Sequence, residues 1–488
     1  MNKQTSALSG DNTSGVGRGG GVGWLERISL RCCAWSERWI PDAYVFAVLG
    51  VIVVAIAAIA LGSPVTQTAK AFGDGFWSLI PFTMQMCFII IGGYVVASSP
   101  PAARLIDRLA AVPRTGRGAA CWVSAISMLF SLLHWGLSMI LGSLLVRALA
   151  RREDLDMDLR AAAAAAYLGM GSVWAMGLSS SAAQLQANPA SMPPALVQIT
   201  GVIPFTETIF LWQSIALTAI LIAVTLLIAW LTTPQGENAQ TARRLGIVAD
   251  APSIESTVKA TRPGEWLEHS PLLNVLIAAL GAAWLVQEFA TKGAALAISS
   301  LNTYNFLFVM LGLLLCWRPR VFLDAVSKSV SGVSGVLIQF PFYGGIAAIL
   351  TSAVGSDGQS IAHHLSTFFA QAATRETFPV VMGIYSAVLG FFVPSGGGKW
   401  IIEAPYVMQA ANELKVHLGW AVQVYNAAEA LPNLINPFWM LPLLGILKLR
   451  ARDVIGFTMI QFIVHVPVVL LLLWAFGLTL DYKPPVMP

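Results

Sequence analysis

Three ionisable side chains stand in apolar surroundings. Lys399 and Glu403 fall within the stretch FFVPSGGGKWIIEAP, and Glu429 within YNAAEALPN. Charges at bilayer depth are expensive; they mark ligand pathways, proton relays or internal pairs. Lys399 and Glu403 are spaced i, i+4, so on one helix they can neutralise each other. Lys399 can equally offer its charge to an anion. Beside it, Ser395 carries a hydroxyl, and Gly396, Gly397 and Gly398 leave backbone N–H groups open to close approach. A helix starting near Lys399 points its positive dipole end into the same space, and such N-termini hold carboxylates. The loop therefore suits a small monocarboxylate or a similar anion. Two other readings remain: the Gly triplet serves helix packing, or a cation binds carbonyls near Phe392 and Val393.

Other polar residues extend the candidate site. Glu429, with Glu403, is the candidate for a coupling proton or cation. Asn433 and Asn436 flank a helix break before Pro437, where they coordinate ligand or satisfy freed backbone groups. His134, in LLHWGLS, marks the middle of another long apolar run. Ser179, Ser180 and Ser181 supply hydroxyls. Gln85 and Gln339 each stand shortly before a Gly-Gly pair. A lone membrane histidine is more often structural than a relay, and Trp135 and Trp400 read as packing. His363 and His364 border an external loop and carry no expected role. The five cysteines form no CxxC pair, which argues against a disulfide framework or zinc site. No metal or cofactor is expected.

The elements that must position these residues are membrane helices. Of the 488 residues, 56% are hydrophobic and 11% charged, with mean hydropathy +0.70, whereas soluble domains carry about 25% charged residues. The net charge of +4 is small, and basic residues gather between apolar runs, a pattern of membrane orientation and not of nucleic-acid binding. No cleaved signal peptide is read at the N-terminus.

A crossing takes about 20 residues. Ordinary spans are expected at 44–62, 77–97, 161–187, 208–232, 271–290, 301–317, 330–354, 420–447 and 455–478. Two runs, 118–148 and 378–411, would each make a helix of roughly 45–50 Å. Both break near the middle, at LLHWG and PSGGG. Arginines flank the first run on both sides, so the positive-inside rule keeps both flanks in the cytoplasm, and a re-entrant hairpin satisfies this where a single crossing does not.

The order of span, hairpin and polar broken span occurs twice. MQMCFIIIGGYVVASS resembles LIQFPFYGGIAAILTSA, and GMGSVWAMGLSSSAAQ parallels YNAAEALPNLINPFW. The fold expected is an all-α polytopic membrane protein: an inverted-topology repeat with two re-entrant helical hairpins and discontinuous helices, the pattern of secondary transporters with a midplane site. The divisions are 1–38, a disordered cytoplasmic segment; 39–232, the first repeat; 233–270, a cytoplasmic loop; 271–478, the second repeat; and 479–488, a tail. This topology places the N-terminus inside and the C-terminus outside. Two further classes are weaker. Ser395 lacks the G-x-S-x-G setting of a hydrolase nucleophile, and a channel would need a symmetric ring or simple helices.

At FFVPSGGGKW, NLINPFWMLPLL and HWGLSMILGSLL the chain resembles the short-chain fatty acid transporter family, the AtoE-like group within the ion-transporter superfamily. The resemblance runs from about Trp39 to Phe476. It implies a bacterial inner-membrane carrier of short-chain carboxylates such as butyrate or acetoacetate, driven by H+ or Na+ and working as a homodimer in the lipid bilayer, or a carrier of another small organic anion. The chain departs from the family pattern at Lys399, where glutamine is common, at His134, where asparagine is common, at SSSAA (179–183), and at Glu429 and Asn436.

Overall fold

Polar interruptions in the sequence become helix ends. A computed structural model describes residues 43–78, 80–187, 194–247, 262–361, 371–392 and 396–487, with residues 24, 27, 28, 31, 38, 363, 364 and 367. Ser395 lies outside these, with Val393, Pro394 and most of the segment 1–38. The described chain is helical, with two isolated β-bridges, Gly201–Val486 and Val354–Ser360.

Helices α1 (Ala43–Ala60), α2 (Val65–Ser78) and α3 (Ile80–Ser98) open the chain, and α4 (Pro100–Ala110) turns from α3 by 72°. The bend follows from the Pro-Pro pair at 100–101, which cannot continue a helix but starts one well. Then come α5 (Gly116–Leu133) and α6 (Trp135–Ala150), α7 (Leu159–Leu168), a π-turn at 169–173 and a 3₁₀ turn at 174–176, α8 (Ser181–Ala187), α9 (Pro194–Thr200) and α10 (Trp212–Thr232). After the loop come α11 (Glu265–His269), α12 (Pro271–Lys292), α13 (Ala294–Ser299), α14 (Leu301–Cys316) and α15 (Pro319–Ser352). The last described helices are α16 (Phe378–Phe392), α17 (Gly396–Glu413), α18 (Leu418–Asn433), α19 (Leu441–Leu447) and α20 (Ala451–Gly477).

By length and composition, six described helices can cross a membrane, and a seventh if α3 and α4 count as one bent span. The chain is a multi-pass membrane protein. Two differences from the span reading share a cause. The apolar span expected at 330–354 is found at Val333–Ser352, but helix α15 itself begins earlier, at Pro319, with polar first turns held by an Arg320–Asp324 pair at 3.2 Å. Helix α2 is amphipathic and precedes α3 as a separate element. Counting apolar runs detects neither.

The helices form two groups. Helix α15 packs on α1, α2 and α3, and α14 packs on α3. The other group holds both hairpins, α5–α6 and α16–α17, and both interrupted helices, α7–α8 and α18–α19, with α10 and α20 beside them. Helix α3 joins the groups by packing against α6, where Gly93 meets the backbone of Gly136. A Cβ on Gly136 would lie 2.1 Å from Ile89, so this crossing requires glycine. The interrupted helices also cross between halves: the π-turn at 169–173 packs on α18, and Tyr167 donates to the Asn433 carbonyl at 2.8 Å.

The C-terminal tail straps one end of the second group. Lys483 reaches Glu207 at 2.7 and 2.8 Å, Val202 N–H donates to the Val486 carbonyl at 2.9 Å, and Tyr482 hydrogen-bonds Asn412. Gly201, at φ +58°, presses against Val486, where a Cβ has no room.

Candidate functional site

The second hairpin places its charge by helix geometry. Helix α17 starts at Gly396, so Lys399 and Glu403 occupy one face of its first turns. That face meets α16 and α18. Lys399 is 0% exposed, and Glu403 and Glu429 are each 1% exposed. An ammonium this deep must be both paired and hydrogen-bonded. Its Nζ lies 2.6 Å from Glu429 Oε2 and 3.5 Å from Glu403 Oε2. It donates to the Ser386 carbonyl at 2.7 Å and to Ser386 Oγ at 2.9 Å, and it stands 4.5 Å from the centre of the Tyr425 ring. Ser386 in turn donates to Glu403 at 3.1 Å. Glycine at 390 lets α18 approach: a Cβ there would lie 2.7 Å from Pro432 and 3.3 Å from Glu429 Oε2.

The start of α17 is held from both sides. Tyr425 donates its hydroxyl to the Gly396 carbonyl at 2.6 Å and packs on Trp400 at 4.5 Å between ring centres. A Cβ on Gly396 would meet the Trp174 ring at 2.4 Å, and one on Gly397 would meet Ser181 at 3.4 Å. Gly396 is thus required for close packing, and it brings the turn against the broken segment of the first half. Gly398 continues the same helix. Asn436 donates to the Phe391 carbonyl at 3.5 Å, which satisfies an end of α16. Asn433 is fully buried, and neither of its side-chain amide atoms has a partner among the described residues.

The first hairpin turns at His134. The ring caps α6 by accepting from Leu137 N–H at Nδ1, 3.0 Å away, so the neutral ring carries its proton on Nε2. Nε2 is buried and has no partner among the described residues. The ring packs against Tyr304 and Phe308 of α14 at 4.4 and 4.3 Å. Ser179 Oγ accepts from Trp135 N–H at 3.0 Å, and Ser180 donates to Asn426 at 2.9 Å. A small recess opens here, lined by His134, Trp135, Ser179, Ser181, Gln184 and Tyr304.

The structure therefore brings Lys399, Glu403 and Glu429 together, and places Ser179 to Ser181 between the two hairpin turns. Gln85 instead bonds Asn302 at 2.8 Å on α14. Gln339 is buried on α15 with its side-chain oxygen unbonded among the described residues; no described contact links either glutamine to the cluster. Sequence reading missed Ser386 and Tyr425, whose polar atoms face Lys399 and Gly396. Ser386 stands beside Tyr385 in an otherwise apolar helix, and Tyr425 is the one hydroxyl residue of α18; neither pattern is a distinctive signal. No group of three or more His, Cys, Asp or Glu that could hold a metal occurs among the described residues.

Apolar helices, two helical hairpins and two interrupted helices around buried polar groups define a multi-pass membrane protein with a polar interior. A model of the short chain fatty acid transporter family matches residues 24–476, and the chain belongs to that family. A protein of Escherichia coli K12, provisionally named a short-chain fatty acid transporter, is 33% identical over 435 residues, 89% of this chain and 96% of its own. One of Haemophilus influenzae with the same provisional name is 30% identical over 452 residues, 91% and 98% of the two chains. Among solved structures, Neisseria gonorrhoeae MtrF, reported with a class of antimetabolite efflux pumps, aligns over 94% of this chain and all of its own at TM-score 0.48 and 13% identity. Alcanivorax borkumensis YdaH, a transporter of unusual topology, aligns over 90% and 98% at 0.48 and 15%. The family consists of transporters, so the hydrolase reading of Ser395 falls.

Proposed function

We propose that this protein is a secondary active transporter of short-chain carboxylates such as butyrate or acetoacetate, working by alternating access and driven by an H+ or Na+ gradient. The observation that carries this reading is Lys399: a fully buried ammonium at the start of the α17 hairpin arm, held by carboxylates alone of the charged groups. A carboxylate ligand offers the same chemistry as its present partners. The family relatives bear names for such transport. The unbonded His134 Nε2–H and the Ser179 and Ser181 hydroxyls line a recess suited to the same ligand, with Gly396 to Gly398, Ser180, Asn433 and Asn436 around the second turn. Gln85 and Gln339 are the outermost members of this set.

In this reading the two hairpins are re-entrant, and the units 39–232 and 271–478 are inverted repeats, which supports a site between them. The protein resides in a bacterial inner membrane as a homodimer, N-terminus in the cytoplasm and C-terminus in the periplasm. The test is uptake of labelled butyrate and acetoacetate into proteoliposomes, corrected for protein-free vesicles because the undissociated acids cross lipid. Wild type should take up at least one acid, and Lys399→Gln should raise its KM. Uptake indifferent to Lys399→Gln would remove the ammonium from the site. A second reading, another small organic anion, is favoured by lysine standing where the family commonly has glutamine; a screen of dicarboxylates in the same vesicles separates the two.

A further inference from the structure

Glu403 and Glu429 share one ammonium, and they are held differently. Glu403 Oε2 lies 3.5 Å from Lys399 Nζ and also accepts a hydrogen bond from Ser386. Glu429 lies closer, at 2.6 Å, and Lys399 is its one polar contact among the described residues. With both carboxylates ionised, the buried cluster carries one uncompensated negative charge, a costly arrangement away from water. One proton removes it. Glu429 is the carboxylate with a single partner to give up, since Ser386 also donates to Glu403 and not to Glu429.

Among the described residues, the remaining surroundings offer no competing charge. Tyr425, on the same helix, gives its hydroxyl to Gly396. The first hairpin arm contributes Ser386 and Gly390. The broken segment 169–187 contains no charged residue. On α20, His465 is bonded to Thr225 and the Gln461 carbonyl, and Arg452 and Asp453 stand in its first turn. Tyr167, from α7, bonds the Asn433 carbonyl.

We infer that Glu429 carries the coupling proton, and that Glu429 and the substrate carboxylate alternate on the Lys399 ammonium; this rests on the carboxylate-transport reading above. Charge count enforces the coupling. In the empty cluster one ammonium faces two carboxylates. A substrate carboxylate added without a proton would put three against one. When a proton first binds a Glu429 oxygen, Lys399 and Glu403 remain as a neutral pair, and the arriving carboxylate restores the original count. On the far side the carboxylate leaves, the O–H bond breaks and Glu429 returns to Lys399. One proton crosses with each carboxylate, and no other bond changes. Lys399 supplies fixed positive charge at the site, so the cycle needs no sodium ion.

The test compares wild type with Glu429→Gln, which keeps volume and leaves the Lys399–Glu403 pair intact. Wild-type proteoliposomes should accumulate labelled butyrate under an inside-alkaline gradient, equally with and without a sodium gradient. Glu429→Gln should still exchange external label for internal unlabelled butyrate, while gradient-driven accumulation drops at least tenfold. Accumulation retained in Glu429→Gln, or wild-type accumulation that requires sodium, overturns the inference. If wild type exchanges neither butyrate nor acetoacetate, the substrate reading fails instead, and the proton is then read directly. Infrared spectra of the purified protein should show a protonated carboxylic acid band growing as pH falls, absent in Glu429→Gln and displaced to lower pH in Glu403→Gln, where the surplus charge is gone. A band lost in Glu403→Gln instead, or no such band, overturns the proton assignment.

Discussion

At the turn of the α5–α6 hairpin the buried polar group is His134, a neutral ring that caps one helix through Nδ1 and rests on two aromatic rings. At the turn of α16–α17 the buried group is Lys399, an ammonium held by two carboxylates, a carbonyl and a hydroxyl. Both hairpins have arms of similar length, and each abuts an interrupted helix. They differ in what breaking them costs. A neutral cap is a local device of about 1 kcal/mol. A paired charge in a dry interior is a condition of packing, because removing one partner strands the others.

The largest expected effect follows directly. Lys399→Leu leaves two buried carboxylates without a cation and should destabilise the protein by about 3–5 kcal/mol, read as a large fall in melting temperature in detergent. Adding Glu429→Gln to Lys399→Leu should recover part of the loss. A double variant no more stable than the single would mean that the carboxylates do not depend on Lys399.

Packing around the two turns comes next. Gly390→Ala pushes a Cβ to 2.7 Å from Pro432, a ring that cannot swing aside. Overpacking of this kind costs about 1–3 kcal/mol, and here it also displaces Glu429 from Lys399. Gly136→Ala on the first hairpin meets Ile89 at 2.1 Å and should cost a similar amount of stability. The two variants should differ in transport pH dependence, which only Gly390→Ala should alter.

His134→Ala should cost about 1 kcal/mol by uncapping α6. His134→Asn retains a cap acceptor and should restore thermal stability. If the Nε2–H also meets substrate, as the proposed site has it, the asparagine variant will melt like wild type and still show a raised KM for butyrate. Equal loss of stability in His134→Ala and Lys399→Leu would erase the contrast between the two turns.

How much of this was legible in sequence depends on distance along the chain. The break at LLHWG and the i, i+4 spacing of Lys399 and Glu403 are local, and helix periodicity alone puts those two side chains together. Glu429 stood out as an anomaly in an apolar helix, but its contact with Lys399 depends on how α18 crosses α17. Ser386 and Tyr425 left almost no trace, because a hydroxyl in an apolar helix is common and only the tertiary crossing gives it a partner. Gln85 and Gln339 sit at matching places in the two sequence halves, yet Gln85 is engaged by α14, which a pattern of letters does not contain. The tail beyond residue 478 read as an appendage, since its hold on Glu207 and Asn412 is wholly long-range.

That tail sets the smallest predicted effect and extends the contrast to the hairpin bases. The first base is tied by Arg152, which donates to the carbonyls of Ala110 and Pro113 and holds the Asp154 carboxyl below its usual range. At the second, beside Asn412 and the strap, His417 caps α18 by accepting from Trp420 N–H at 3.1 Å and donates from Nε2 to Glu207 at 3.1 Å. Burial lowers the His417 value, with Glu207 opposing, and the Lys483 hydrogen bond lowers that of Glu207. A lowered histidine means that the unfolded chain binds the proton more readily, so stability falls as pH drops below about 6.5. The Glu207 contribution is present above its unfolded value, about 4.3, and is lost only as pH falls through a lower folded value. Between pH 7 and 5, therefore, only His417 acts at this end, and protonating its Nδ1 removes the α18 cap. Hydrogen exchange at 418–421 and 478–487 should quicken modestly over that range while exchange at 110–118 stays level. His417→Asn, which keeps a cap without a titrating ring, should abolish the step; a step that persists in this variant would place the titrating group elsewhere.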